Sequence, residues 1–243
     1  MAHKSSFVYN GVSSLDMHLT ILNDVSFPSP EADIEFVEVL GRDGDLAVNH
    51  NRLKGVDFSL PVALIPPKGV SVNVLATKIA EWLKSDIGWH PLSLSSVEEY
   101  DYIAIVQEAF DVEQTLRQFG RTVITFRLKP YKRRRGQSTF ELTDVLTIHN
   151  PEQRASKPLI EVVGEGNISL SNNGSPWLTL KGIDGRITVD SELMSVYKDA
   201  RPQYDKMASN LTPLFPELVP GENNLTVTGN ATITIHPRWE AII

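Results

Sequence analysis

The feature that most restricts the fold is a two-residue alternation of apolar and polar side chains, in short runs separated by turn-forming dipeptides. In "VDFSLPVALI" (56–65), Val56, Phe58, Leu60, Val62 and Leu64 fall on one side, with Asp57, Ser59, Pro61, Ala63 and Ile65 on the other. Successive strand side chains point to opposite faces, so this period describes a β-strand with one face on a core. Pro61 cannot donate a ladder hydrogen bond, so the strand is expected at a sheet edge or with a bulge. "DIEFVEVL", "YDYIAIVQ" and "RTVITFRLK" repeat the pattern, the last with Ile124, Phe126 and Leu128 on one face.

One segment departs from it. In "GVSVNVLATKIAEWLKSD" the residues Val72, Leu75, Ala76, Ile79 and Leu83 recur at helical spacing, which predicts a helix over about 71–84 that packs on a sheet. Ser71 is placed to cap it, Val70 to pack on Leu75, and Trp82 to anchor a core.

Beyond residue 138 the pattern is almost purely β. "LIEVV", "NISLS", "WLTLK" and "RITVD" begin at 159, 167, 177 and 186, a spacing that suits a sandwich or barrel. Asn173-Gly174, Asp184-Gly185 and Gly229-Asn230 supply the positive φ angles of tight hairpins, as Asn10-Gly11 and Asp43-Gly44 do in the first half. The proline-bearing stretch that follows residue 190 reads as a crossing connection with one short helical turn. With 243 residues the chain suits two domains. The expected division is an N-terminal β domain over 1–132, a basic linker over 133–137 and a C-terminal β-sandwich over 138–243.

The join is chemically distinct. "KPYKRRRGQ" (129–137) sits in a chain of formal net charge -7, and without the six basic residues of 127–135 the balance would be -13. An acidic surface repels phosphates, so sequence-specific nucleic-acid binding is not expected. As a charge run the segment reads first as a solvated linker. A second reading makes Lys132, Arg133, Arg134 and Arg135 an interface patch that pairs with carboxylates of a neighbouring subunit or tail partner. Direct DNA contact comes last.

Signals for catalysis are absent. There is no cysteine, no phosphate-cradling glycine loop and no G-x-S-x-G elbow. The histidines (3, 18, 50, 90, 149 and 236) are scattered without metal-ligand spacing. Asp43 to Asp45 reads as a turn, and Glu98, Glu99 and Asp101 as a polar loop. No enzyme activity, cofactor or metal is expected. No signal peptide or membrane span is apparent either, which suggests folding in a cytoplasm without membrane insertion.

"FVYNGVSS" (7–14), "GRDGDL" (41–46), "AEWL" (80–83) and "VITFRLKPYK" (123–132) occur in the order seen in siphophage distal tail proteins, called Dit, which this chain resembles. "PLIEVVGEGNISLSNNG" (158–174), "GRITVDSE" (185–192) and "FPELVPGENNLTVTG" (215–229) extend the likeness over the second half. The resemblance implies a mainly β chain: an N-terminal β-sandwich-type domain with one α-helix and a projecting hairpin, then a galectin-like C-terminal β-sandwich. It also implies a structural virion protein at the distal tail tip, assembled in the bacterial host cytoplasm as a homohexameric ring. Its partners would be the major tail tube protein, a tail-associated lysin or tail-tip protein, and a receptor-binding protein. The "KRRR" run is more basic than that family's usual join.

A different class of function is a carbohydrate-binding module, with Trp177 and Trp239, beside Tyr197 or Tyr204, as a sugar platform in the C-terminal sandwich. Burial of both tryptophans inside the domain or at its seam is the competing arrangement.

Overall fold

The computed structural model describes residues 5–22, 25–106, 113–116 and 119–243, the third of these by its backbone alone. His3 lies outside the described residues. The chain separates into two compact units, one of residues 1–135 with 242–243 and the other of residues 136–241. The whole is mainly β with one α-helix, as the patterning indicates.

In the first unit, strands β1 (Phe7–Tyr9), β2 (Val12–Ser13) and β3 (Leu19–Ile21) precede a hairpin of β4 (Ala32–Val37) and β5 (Leu46–Leu53). Then come β6 (Val56–Leu64), helix α1 (Val72–Lys84), β7 (His90–Leu94), β8 (Tyr100–Ile105), β9 (Glu113–Leu116) and the long β10 (Phe119–Arg134). Antiparallel pairing orders the main sheet β2-β1-β7-β8-β10-β6-β3, with β9 also on β10. The alternation in 56–65 does what its period requires: Phe58, Leu60, Val62 and Leu64 are buried, and so are Ile124, Phe126 and Leu128 opposite them on β10.

The expectation for Pro61 needs correcting in part. β6 lies between β10 and β3, but β3 pairs only with Val62, Ala63 and Leu64. Pro61 sits where β3 ends, so β6 is an edge only in its first half, and there a missing N–H costs no ladder bond.

Helix α1 starts as its sequence suggests, with the Ser71 hydroxyl accepting from the Val74 N–H at 3.4 Å. Its Leu75, Ile79, Trp82 and Leu83 enter the same core as the sheet. Trp82 stacks on Phe7 at 5.9 Å between ring centroids, and Tyr9 meets Phe126 edge-on at 5.3 Å. Such aromatic pairs add about 0.5–1.5 kcal/mol each beyond the area they bury.

The second unit contains β11 (Phe140–Leu142), β12 (Val145–Asn150), β13 (Leu159–Asn172), β14 (Ser175–Asp190), β15 (Ser195–Lys198), β16 (Arg201–Pro202), a 3-10 turn (Tyr204–Lys206) and β17 (Gly221–His236). Its sheet runs β11-β17-β13-β14-β15-β16, with β12 also on β17. Four expected short strands are two long ones here: 159 and 167 both start within β13, 177 and 186 within β14. Asn173-Gly174 is a true hairpin turn, with φ of 51° and 77°. Asp184-Gly185 and Gly229-Asn230 are not turns. They lie inside β14 and β17, where positive φ at Gly185 (82°) and Gly229 (115°) bends a strand that continues. The register of β13 against both neighbours shifts in the same region, between residues 165 and 169. The segment expected as a plain connection holds the β15–β16 hairpin, turned by Asp199 and Ala200 at φ of 48° and 64°, as well as the expected helical turn.

Candidate functional site

Two parts of the first unit carry charge or apolar surface that its core does not use. The first is the basic end of β10. Lys132, Arg133 and Arg134 stand in register with Tyr102, Asp101 and Tyr100 of β8, and the Arg135 N–H donates to the Glu99 carbonyl at 2.8 Å. The linker expected over 133–137 is thus corrected for its first two residues, which are strand: β8 offers them ladder partners, so they need not be solvated chain.

Strand alternation puts Lys132 and Arg134 on one face, and both stand over the Tyr100 ring, at 4.8 and 5.6 Å from its centroid. Lys129 sits over the Trp89 ring at 5.6 Å. Arg134 approaches Glu99 at 3.8 Å, and Arg135 is paired with Asp101, which also accepts from the Ser93 hydroxyl at 2.6 Å. Glu99 and Asp101, which read as a generic polar loop, are therefore the local counter-charges of the cluster. Cation–π contacts at such exposure are worth about 0.5–1 kcal/mol and exposed ion pairs about 0.2–1. Tyr100, Glu99 and Asp101 thus help to orient Lys132, Arg134 and Arg135.

The second part is the β4–β5 hairpin. These strands pair with each other and, among the described residues, with no other strand. Ionic contacts hold the base: Arg52 Nε donates to Asp33 at 2.5 Å, and Lys54 lies 3.9 Å from both Asp33 and Glu31. The hydrogen bond from Arg52 holds the Asp33 carboxyl below its ordinary pKa. Apolar side chains line the rest in the open. Phe36 is 67% exposed and Leu40 fully so, and Ile34, Val37, Val39, Leu46 and Val48 are exposed as well. Phe36 and Val37 are consecutive strand residues, so apolar surface occurs on both faces. The sequence signal was present in "DIEFVEVL", but periodicity alone could not tell a strand beside a core from one standing apart.

Trp177 and Trp239 are only 7% and 5% exposed. The Trp177 indole donates to the Glu217 carbonyl at 2.8 Å, and the Trp239 backbone exchanges hydrogen bonds with the Gln137 side chain. Both rings are buried, which is the arrangement weighed against a sugar platform. Tyr204, weighed beside them, is half exposed.

Among the described residues no three His, Asp or Glu side chains group as a metal site would require, and no helix is long and apolar enough to cross a membrane.

No protein-family model and no curated protein matches the sequence. Among solved structures, two of the phage p2 baseplate in its activated conformation, with calcium and with strontium, align over 97% and 96% of this chain and 98% and 97% of theirs. Their identities are 10% and 9%, with TM-scores of 0.47 and 0.49. SPP1 Dit, described as a paradigm of the hub adsorption apparatus in Gram-positive infecting phages, aligns over 95% of this chain and 97% of its own, with a TM-score of 0.67 and 15% identity. The likeness to Dit expected from short sequence segments therefore holds for the fold, across nearly the whole length of both chains.

Proposed function

We propose that this protein is a non-catalytic structural component of the distal tip of a long, non-contractile phage tail. Copies close into a sixfold ring that joins the tail tube to the tail-tip or baseplate components and leaves a passage for DNA. The observation that carries this reading is the β4–β5 hairpin. A two-stranded ribbon is marginal on its own, and this one exposes apolar residues on both faces and, among the described residues, has no strand on its outer edges. Such a ribbon is stabilised by laying itself on another copy. Closure into a ring then removes the free edges that would otherwise promote aggregation.

The fold shared with SPP1 Dit supports the assignment, as does the acidic net charge, which disfavours adhesion of passing DNA. In this reading the first unit builds the ring, and the second is a galectin-like sandwich. The tube protein, a tail-associated lysin or tail-tip protein and a receptor-binding protein are the partners, and the assembled product resides in the virion. Native mass spectrometry over a range of protein concentrations tests it. A six-copy particle is expected, and a monomer at every concentration would reject the ring.

A further inference from the structure

The second unit holds a cleft of about 270 Å³ between the bend of β14 and the turn that follows β16. Ile183 and Ile187 are buried apolar residues of its lining, with Asp184, Arg186, Lys198, Gln203 and Lys206 as the polar ones. The two lysines are seated. Lys206 Nζ donates to the Gly182 carbonyl at 3.0 Å, and Lys198 Nζ to the Asp184 carbonyl. Positive φ at Gly182 (57°) and Gly185 (82°) shapes the bend that carries these two carbonyls. A Cβ at Gly182 would stand 3.5 Å from Lys206 Nζ and one at Gly185 3.8 Å from Lys198 Nζ, ordinary contact distances, so the glycines serve the bend rather than clearance.

An ammonium has three donors, and each lysine spends one on a carbonyl; no carboxylate pairs with either among the described residues. Arg186 has Glu161 at 3.8 Å, and Asp184 lines the same cleft, so its three cations face one acid of the lining. The cleft is thus a local excess of positive charge, with oriented donors, in a chain of net charge -7. A site for a bare oxyanion would be built of donors alone. This one adds the acceptor Asp184 and the amide of Gln203, which suit hydroxyl groups. Half-exposed Tyr204 lies in the same turn as Lys206, its hydroxyl 3.4 Å from the Met194 carbonyl.

We infer that this cleft binds an anionic polysaccharide, taking a phosphate or carboxylate group on Lys198, Lys206 and Arg186 while Asp184 and Gln203 receive neighbouring hydroxyls. Nucleic acid fits less well: three cations on an acidic protein do not make a basic stripe, and one aromatic does not make a stacking platform. The site lies within one second unit and does not depend on ring formation.

Calorimetric titration of the full chain at low salt tests this, with an oligogalacturonate and a phosphorylated mannan fragment as probes, and neutral dextran, inorganic phosphate, oligo-dT and polyglutamate as comparisons. At least one acidic glycan is expected to bind, and more tightly than every comparison. The Lys198→Gln/Lys206→Gln variant is expected to lose about tenfold or more in that affinity, with an unchanged unfolding midpoint. Binding of neither acidic glycan would overturn the proposal, and so would equal affinity in the variant. Oligo-dT or polyglutamate binding as tightly would overturn the ligand class, and phosphate alone binding as tightly would remove the hydroxyl contacts. The native mass of the particle is read separately, so the ring and the cleft can fail independently.

Discussion

The two units are built on the same alternation but differ in what they leave outside. In the first, a clean strand such as β6 buries Phe58, Leu60, Val62 and Leu64, while β4 and β5, only a few residues upstream, expose their apolar side chains. In the second, the exposed apolar side chains, among them Val145, Val163, Leu193, Met194, Leu214 and Val219, are spread over separate elements, and the three longest strands fold over at glycines to close on one core. Buried Asn223 is fully engaged there: its amide donates to the Val219 and Gly221 carbonyls and accepts from the Asn172 amide and the Val219 N–H. The contrast teaches that the open apolar surface of the hairpin is not poor packing. The same unit packs its aromatic residues tightly, and the hairpin is the surface that the proposed ring would use.

The largest effect should follow from removing that surface. Phe36→Ser with Leu40→Ser is expected to weaken self-association by about a hundredfold or more, since central apolar anchors commonly contribute about 2 kcal/mol each. Both side chains are exposed in the single chain, so its thermal unfolding should shift little. Sedimentation velocity beside a melting curve separates the two readings. A ring of normal mass in this variant would erase the distinction between the units.

Next in size is the aromatic core of the first unit. Phe126 is fully buried between Phe7 and Tyr9, so Phe126→Ala should cost about 4 kcal/mol in denaturant unfolding monitored within that unit. A loss near 1 kcal/mol would mean that this core is looser than its ring stacking implies.

The second unit depends instead on a buried ion pair. Asp190 is 3% exposed, receives both Arg238 guanidinium nitrogens at 2.7 and 3.0 Å, and accepts from the N–H groups of Glu192 and Leu193. Burial by itself would raise its pKa. The Arg238 and backbone hydrogen bonds outweigh that, leaving the carboxyl below its ordinary value. Its folded pKa is depressed, so its stabilisation is fully present above the unfolded value near about 3.9 and is lost as pH falls through the folded one. Asp190→Asn should cost about 3 kcal/mol at neutral pH and flatten the acid limb of the stability curve below about pH 4. An unchanged acid limb would assign that limb to other carboxylates.

The bend glycines give a further contrast. A Cβ at Gly229 would meet the Asn167 carbonyl oxygen at 2.6 Å, at a φ of 115° that side chains rarely adopt. Gly229→Ala is expected to destabilise the second unit by about 2 kcal/mol or more. Gly44→Ala in the hairpin loop meets no atom within 4 Å, and only its φ of 76° resists it, so its cost should be smaller. Equal costs would mean that strand crossing does not set the bend.

Period and capping made much of the fold legible: the helix, the mainly β architecture and the buried face of β6 can be read from side-chain order. What could not be read was continuity. Gly185 and Gly229 carry the same positive φ whether a chain reverses or merely bends, so long strands passed for pairs of short ones. The surface was also only half legible. The basic run stands out in one dimension, but its acids, Glu99 and Asp101, lie more than thirty residues away and reach it only through the β8–β10 ladder. The seated lysines of the second unit were missed because backbone carbonyls, which no side-chain pattern reports, hold them.

The smallest effect is expected at that basic run, where it decides between an orienting role within the unit and a contact with a neighbour. Replacing Arg133, Arg134 and Arg135 with Ser removes half-buried pairs that should contribute about 1 kcal/mol or less apiece, so the unfolding midpoint should move only slightly. If the run faces another subunit, the same variant should loosen the ring and make its assembly less sensitive to salt, because guanidinium–carboxylate pairs across an interface are screened. If its partners all lie within the same chain, ring mass and salt dependence should match the wild type. The outcome states whether the first unit meets its neighbour through the apolar hairpin alone or through charge as well.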